Sequence, residues 1–384
     1  MLYSRRKFMV AGAAVAVLPR LAAAEPKGSA PTAGADAVRV GAMFAASGPD
    51  SMLGDECWRG VQLAAAAINA AGGVKGKQLV LVPGNAYVDA QSEAAAGQFI
   101  AAQHLGFMLG TGGSNFSYPG SAAAELAQLP YIEVSAPADG ITGRGFKFLL
   151  RTALTTSMVA QVAVAAIAAR YPGKQIGVLF NNGAGAGAIA AAALAQWGQN
   201  KTAVRLSIGY PEDVADLHDP VARLQRAGVE VVLHAAGADD VLQMFQAAHD
   251  VGFKPAAVFG CGDGYGSRET AQAIGPAFEG TFVSAAPFYP ERARYIADAY
   301  MAQFGMAPRS AESLTSYVGA KLVFDVLNQC DGDTSKLLDA LRKSDVTPGT
   351  LANGWGVAFD KTGQNTRAFA RLQQWRGQML TSLP

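Results

Sequence analysis

From residue 38 onward, short apolar runs alternate with longer stretches whose apolar residues recur at helical spacing. Residues 38–43, 78–83, 107–109 and 131–134 read as strands, with helices expected over 55–71, 90–103 and 118–128. Each strand runs into small or turn-forming residues: Ala45-Ala46-Ser47-Gly48, Gly112-Gly113-Ser114-Asn115, Ser135-Ala136-Pro137. Continuously apolar strands joined by helices specify a parallel sheet covered on both faces. Residues 146–154 break the rhythm and read as a crossing strand. A second series follows, with helices over 156–171, 188–197, 219–227 and 240–251. Its strands are 175–180, 203–208, 229–233, 257–259 and 281–285. Two long helices (291–303 and 310–328) come next, then a closing piece at 355–359, the turn Asp360-Lys361-Thr362-Gly363 and a strand near 369–375. Two α/β units joined by crossings enclose a cleft. Ligands of open parallel sheets bind outside the carboxyl ends of the strands, so the strand-end loops should face it. Closure about the crossings is the expected motion.

Composition narrows this picture. A chain of 384 residues that is 50% apolar and 16% charged can bury more than one core, so two domains are expected. Residues 1–24 read as a cleavable twin-arginine signal: Ser4-Arg5-Arg6-Lys7-Phe8, an apolar run over 9–18, then Ala22-Ala23-Ala24. The apolar run falls well short of the roughly 20 residues of a spanning helix. The expected compartment is the periplasm, with 25–37 a flexible leader. Removing Arg5, Arg6, Lys7 and Arg20 takes the formal charge from +1 to 1 − 4 = −3. A near-neutral chain without a basic face argues against a nucleic-acid partner. Cys57, Cys261 and Cys330 allow at most one bridge and have no metal spacing, so buried thiols are expected.

Catalytic signals are sparse. Gly185-Ala186-Gly187-Ala188-Ile189-Ala190 matches the G-x-G-x-x-A pattern after a strand, but no acid ends the next strand. In so Ala- and Gly-rich a segment it reads as tight helix packing. No P-loop and no G-x-S-x-G occurs, and His104, His218, His234 and His249 have no metal spacing. His234 ends a strand, where it either sees the cleft or serves the structure. No cofactor, no metal and no enzymatic reaction are expected. A periplasmic oxidoreductase using a nucleotide cofactor stands as a remote alternative.

Several segments carry a resemblance. They are Val40-Gly41-Ala42-Met43 with Ser47-Gly48-Pro49, Gly54-Asp55, and Ile68-Asn69-Ala70-Ala71-Gly72-Gly73-Val74-Lys75-Gly76. Phe148-Leu149-Leu150-Arg151-Thr152, Arg223-Leu224 before Gly228-Val229, and Glu279-Gly280 extend it in order over 38–375. The chain resembles the type I periplasmic binding proteins of the leucine/isoleucine/valine class. That resemblance implies an α/β fold of two Rossmann-like lobes with parallel sheets and a three-crossover hinge. It implies lobe I at 38–153 plus 286–345, and lobe II at 154–285 plus 346–384. It further implies a monomer that captures a small carboxylate-bearing ligand for an inner-membrane ABC permease; the same fold also serves ligand sensors that feed a membrane signalling partner.

In that family Ser114 holds the position whose hydroxyl takes the ligand carboxylate, and Ser135 and Ala136 those whose backbone groups hold the head. The residues agree: Gly112-Gly113-Ser114-Asn115 ends a strand and opens a helix, offering N–H groups to an anion. A plain helix cap is the other reading of Ser114. The departures are Pro137, where the family carries Thr, and Gly262, where it carries the ammonium-binding acid, with Asp263 adjacent. Gly185 and Gly237 fall near the aromatic residues that close the second lobe, and the family's disulfide pair is absent at Tyr87 and Gly113. These changes point to an amine-free or aromatic carboxylate rather than a branched-chain amino acid. Phe116, Tyr118 and Tyr265 sit in strand-end loops, where they either stack on a ligand or fill packing.

Overall fold

The computed structural model describes residues 37–48, 50–85 and 92–383. The expected signal, nearly all of the leader, Tyr87 and the expected start of the second helix lie outside the described residues.

Strands β1 (Val38–Phe44), β2 (Leu79–Asn85), β3 (Phe107–Thr111), β4 (Tyr131–Glu133) and β5 (Leu149–Arg151) form a parallel sheet in the order β2-β1-β3-β4-β5. Helices α1 (Ser51–Ala70), α2 (Ser92–Gln103), α3 (Ser114–Leu126) and the short α4 (Gly140–Gly143) connect them. The expected crossing strand at 146–154 is corrected here: its middle is β5, the edge of this sheet. Leu149 and Leu150 point to opposite faces and enter two different cores, which makes this a sheet strand buried on both sides.

The second series begins with α5 (Thr156–Arg170), whose Thr155 hydroxyl caps the helix by accepting from the Met158 N–H. It continues through β6 (Ile176–Asn181), α6 (Ala184–Gln199), β7 (Val204–Tyr210), α7 (His218–Arg226), β8 (Val231–Ala235) and α8 (Ala238–Val251). Then come β9 (Ala257–Cys261), α9 (Asp263–Gly266), α10 (Arg268–Ile274) and β10 (Phe282–Ala285). The chain next returns to the first sheet. Residues of α11 (Arg294–Phe304), α12 (Glu312–Gln329) and α13 (Leu337–Arg342) share one core with α1 and β1. A two-stranded piece, β11 (Asp345–Val346) with β12 (Val357–Ala358), follows. Finally β13 (Arg371–Arg376) and β14 (Met379–Ser382) add antiparallel strands to the second sheet, ordered β14-β13-β10-β9-β8-β6-β7. The reading of 281–285 and of a strand near 369–375 thus meets a mixed sheet, parallel from β6 to β10.

Where the chain passes between the sheets, a buried polar knot ties the passes together. The fully buried Arg151 donates through Nε to Gln364 Oε1 (2.5 Å) and through Nη1 to the carbonyl of Ala138 (2.7 Å). Gln364 in turn donates to the Ala153 carbonyl, and Asn365 to that of Thr152. Burial lowers the Arg151 pKa to about 10, still charged at neutral pH. Cys57 and Cys261 are buried free thiols, and Cys330 is a half-buried free thiol.

Candidate functional site

A cavity of about 140 Å³ lies where the carboxyl ends of both sheets meet, a space that admits about one aromatic ring. Each side contributes through loops at its topological switch point, β1/β3 on one sheet and β6/β8 on the other. From the first sheet come Asp50 and Leu53 after β1, Gly112 to Asn115 after β3, and Ser135 and Pro137 after β4. From the second come Asn181, Gly183 and Gly185 after β6, Glu212 after β7, Gly237 after β8, and Gly262 and Asp263 after β9. Glu312 and Thr315 of α12 complete the wall.

Asn115 joins the two sides. Its Oδ1 accepts from the Ala184 N–H at 2.9 Å, and its Nδ2 donates to Glu212 Oε1 at 2.7 Å. Ser114 is buried, its Oγ accepting from the Ala138 N–H (3.1 Å), which leaves its own hydroxyl proton free to donate. A Cβ built on Gly185 would come 3.6 Å from Ser114 Oγ, so the second-sheet wall stands directly opposite. Gly185, Ala186 and Ile189 line the cavity. The small side chains of that G-x-G-x-x-A segment pack α6 closely against α5, with Ala190 buried in their shared core, and Gly185 and Ala186 also make room along the cavity wall.

Ser114, Asn115, Ser135 and Asp263 are thus brought together. Ala136, Phe116 and Tyr265 are not among the lining residues. The N–H groups of Ala136 and Ser135 donate to Glu133 Oε1 at 2.9 and 3.0 Å, as does that of Thr111 at 2.8 Å. Glu133 is fully buried, so the chain's own carboxylate occupies these donors. Phe116 is buried in the core beneath α3. Tyr118 carries Arg144 over its ring, 4.9 Å from the centroid. Tyr265 stacks on Phe278 at 5.9 Å and bonds through its hydroxyl to His234 Nδ1 at 2.7 Å. A large ring at these positions fills the interior because the small residues beside it, Gly113 and Gly260, leave that space.

His234 does not reach the cleft. It is fully buried, and its Nε2 meets the Tyr210 hydroxyl at 2.7 Å. Burial lowers its pKa to about 3, so the ring is neutral and one nitrogen donates while the other accepts. Asp240, whose charge bears on Tyr210, accepts from Asn181 Nδ2 (2.7 Å) and the Gly237 N–H (3.3 Å). The neutral ring therefore donates to one of the two tyrosine hydroxyls and accepts from the other.

The acids are where sequence reasoning fell short. Asp50, Glu212 and Glu312 line the cavity beside Asp263, and no Lys, Arg or His is among the described lining residues. Burial, then the charges of Asp50 and Glu312, push Asp263 up to about 7. Burial, then Glu212, raises Asp50; burial also raises Glu312. Asp50 and Glu312 stand at helix starts, where an acid reads as an ordinary N-terminal charge. Yet Asp50 makes no cap bond to α1. Gly262 has φ +100° and a Cβ there would lie 2.8 Å from the Ala236 carbonyl oxygen, so a side chain is excluded and the acid stands one residue on. Among the described residues no cluster of His, Cys, Asp or Glu could hold a metal ion.

Residues 37–378 match the family model described as periplasmic binding protein. The Leu/Ile/Val-binding protein homolog 8 of Brucella abortus (strain 2308) is 33% identical over 368 residues, 90% of each chain. The Leu/Ile/Val-binding protein homolog 7 of Brucella suis is 34% identical over 378 residues, 93% of each chain. The fold is similar to that of the branched-chain amino acid transporter substrate-binding protein of Streptococcus pneumoniae in complex with isoleucine (TM-score 0.78, 18% identity, 90% of this chain and 99% of that one). It is equally similar to that of a solute-binding protein of an R. palustris ABC transporter in complex with benzoate (TM-score 0.79, 16% identity, 90% and 95%). With the match running through both sheets and every strand-end loop of the cavity, the chain belongs to the periplasmic binding protein family, in its Leu/Ile/Val-binding group.

Proposed function

We propose that this chain is exported to the periplasm by the twin-arginine route, traps one small molecule between two lobes, and delivers it unchanged to an ABC-type permease. The lobes are read as 38–153 with 286–345 and 154–285 with 346–384, the last segment also lending Val357 to the first core. The observation that carries the reading is the Asn115 bridge across a cavity built from both sets of strand-end loops. A ligand held between two lobes favours their closed arrangement by its differential affinity for it.

The carboxylate end of the ligand sits at the start of α3. Gly113 precedes that helix in extended conformation, and the first-turn N–H groups and dipole of a 13-residue helix favour an anion there. The Ser114 hydroxyl supplies a further donor. Ser135 acts through its side chain, since its N–H is bound to Glu133.

A thermal-shift screen of amino acids, amines and aromatic carboxylates tests the reading, because a ligand that binds only the folded form raises the melting temperature. Ser114→Ala should weaken the strongest binder by about 1–3 kcal/mol. Stabilisation that is indifferent to Ser114→Ala removes this residue from the site.

A further inference from the structure

We propose that the cavity selects a ligand of net positive charge, whose ammonium or guanidinium group is seated at Glu312, Asp50 and Asp263. The proposal rests on the capture reading above and names the chemical class captured.

Two independent observations carry it. The first is a set of unneutralised acids. Asp50, Glu212, Asp263 and Glu312 face one cavity with no base among its described lining residues. The Glu312 Oε2 atom is buried and makes no hydrogen bond. A buried carboxylate oxygen without a partner is costly, and a cation in the cavity relieves that cost. The second is Glu133. Its carboxylate already fills the N–H groups of Thr111, Ser135 and Ala136. A bare anion therefore meets fewer free donors and more negative charge than the loop sequence suggests.

The acids are held in place. Glu56, fully buried, accepts from Tyr300 (2.7 Å), from Arg309 Nε (3.0 Å) and from Ser313 Oγ (2.6 Å). That network fixes the start of α12 on both sides of Glu312. Gly60 permits the close contact of α1 and α12, since a Cβ there would collide with the Ser313 carbonyl. Arg309, the nearest base in this network, is committed to Glu56 and Asp55. The described acids do not converge as a metal site does, which leaves an organic cation as the occupant. A net cation differs from the amine-free ligand expected from Pro137 and Gly262. Those two positions report where one family reads an amine, and the charge here is supplied from α1 and α12.

The test is calorimetric titration of the mature protein with L-arginine, L-lysine, 1,4-diaminobutane, L-leucine, benzoate and 4-hydroxybenzoate. The proposal expects the net cations to bind tightest. The first two against the diamine show whether a carboxylate is also read. Glu312→Gln should weaken cation binding at least tenfold and leave or improve binding of benzoate. Asp50→Asn serves as the second variant should the first fold poorly. Tightest binding by a benzoate, unchanged in both variants, overturns the cation proposal while leaving capture intact. Absence of binding by all three cations overturns it as well.

Discussion

Asn115 Oδ1 lies 2.9 Å from the backbone nitrogen of Ala184, joining the first turn of α3 to the first turn of α6 across the cavity. Two elements remote in sequence are latched by one amide side chain, whose other end holds Glu212. Both of its polar atoms are used across the cleft.

Asn115→Ala should therefore favour the open arrangement. Each of the two lost bonds is worth about 0.5–1.5 kcal/mol, so ligand affinity should fall roughly 5- to 150-fold. Small-angle scattering should show a larger radius of gyration without ligand. A variant with unaltered affinity and scattering would mean the latch contributes nothing.

Asp263 makes the stability of the ligand-free protein depend on pH. Its folded pKa of about 7 stands above the ordinary 3.8, through burial and the charges of Asp50, Glu312 and Asp240. Between those values the folded state holds more protons than the unfolded one, so this group lowers stability as pH rises from about 4 to 7. Asp263→Asn should be more stable than the parent at pH 8, by on the order of 2 kcal/mol, with the gain shrinking toward pH 4. Urea midpoints across that range provide the check, and a constant difference at every pH refutes the assignment.

His234 acts with the opposite sign. Its folded pKa, about 3, lies below the ordinary 6.5, so its contribution is complete above 6.5 and is lost as pH falls toward 3. His234→Ala also strands the Tyr210 and Tyr265 hydroxyls in the interior. The expected cost is about 2–4 kcal/mol in denaturant unfolding at pH 7.5. A cost below about 1 kcal/mol would show that water or a neighbour replaces the imidazole.

The alternation of apolar strands and helical segments was sufficient to read two α/β units, because strands buried on both faces leave continuous apolar runs. It was insufficient for β5, whose three residues lie within a longer run, Phe146 to Leu154, that read as a crossing and not as a sheet edge. The strand-end loops of the cavity were legible from their small residues, Ser114 and Asn115 from their place between a strand and a helix, and Asp263 only through the family resemblance at Gly262. Glu312 and Asp50 were not, because an acid opening a helix looks the same whether it faces solvent or a cavity. Tyr265 and Phe116 misled for the converse reason: a loop aromatic shows no sign in sequence of turning inward. Glu133 is a further case, since only geometry reveals that its carboxylate meets the N–H groups two and three residues on.

The central claim is that one small molecule is held between Ser114 and the α6 wall. Gly185→Leu tests it most directly, by placing a side chain toward Ser114 Oγ, 3.6 Å from where its Cβ would begin. Calorimetry with the best ligand of the screen should give one site per chain for the parent and no measurable binding for the variant. The variant's ligand-free melting temperature should stay within a few degrees of the parent's. Undiminished one-to-one binding by a folded Gly185→Leu protein would place the ligand elsewhere and contradict the account.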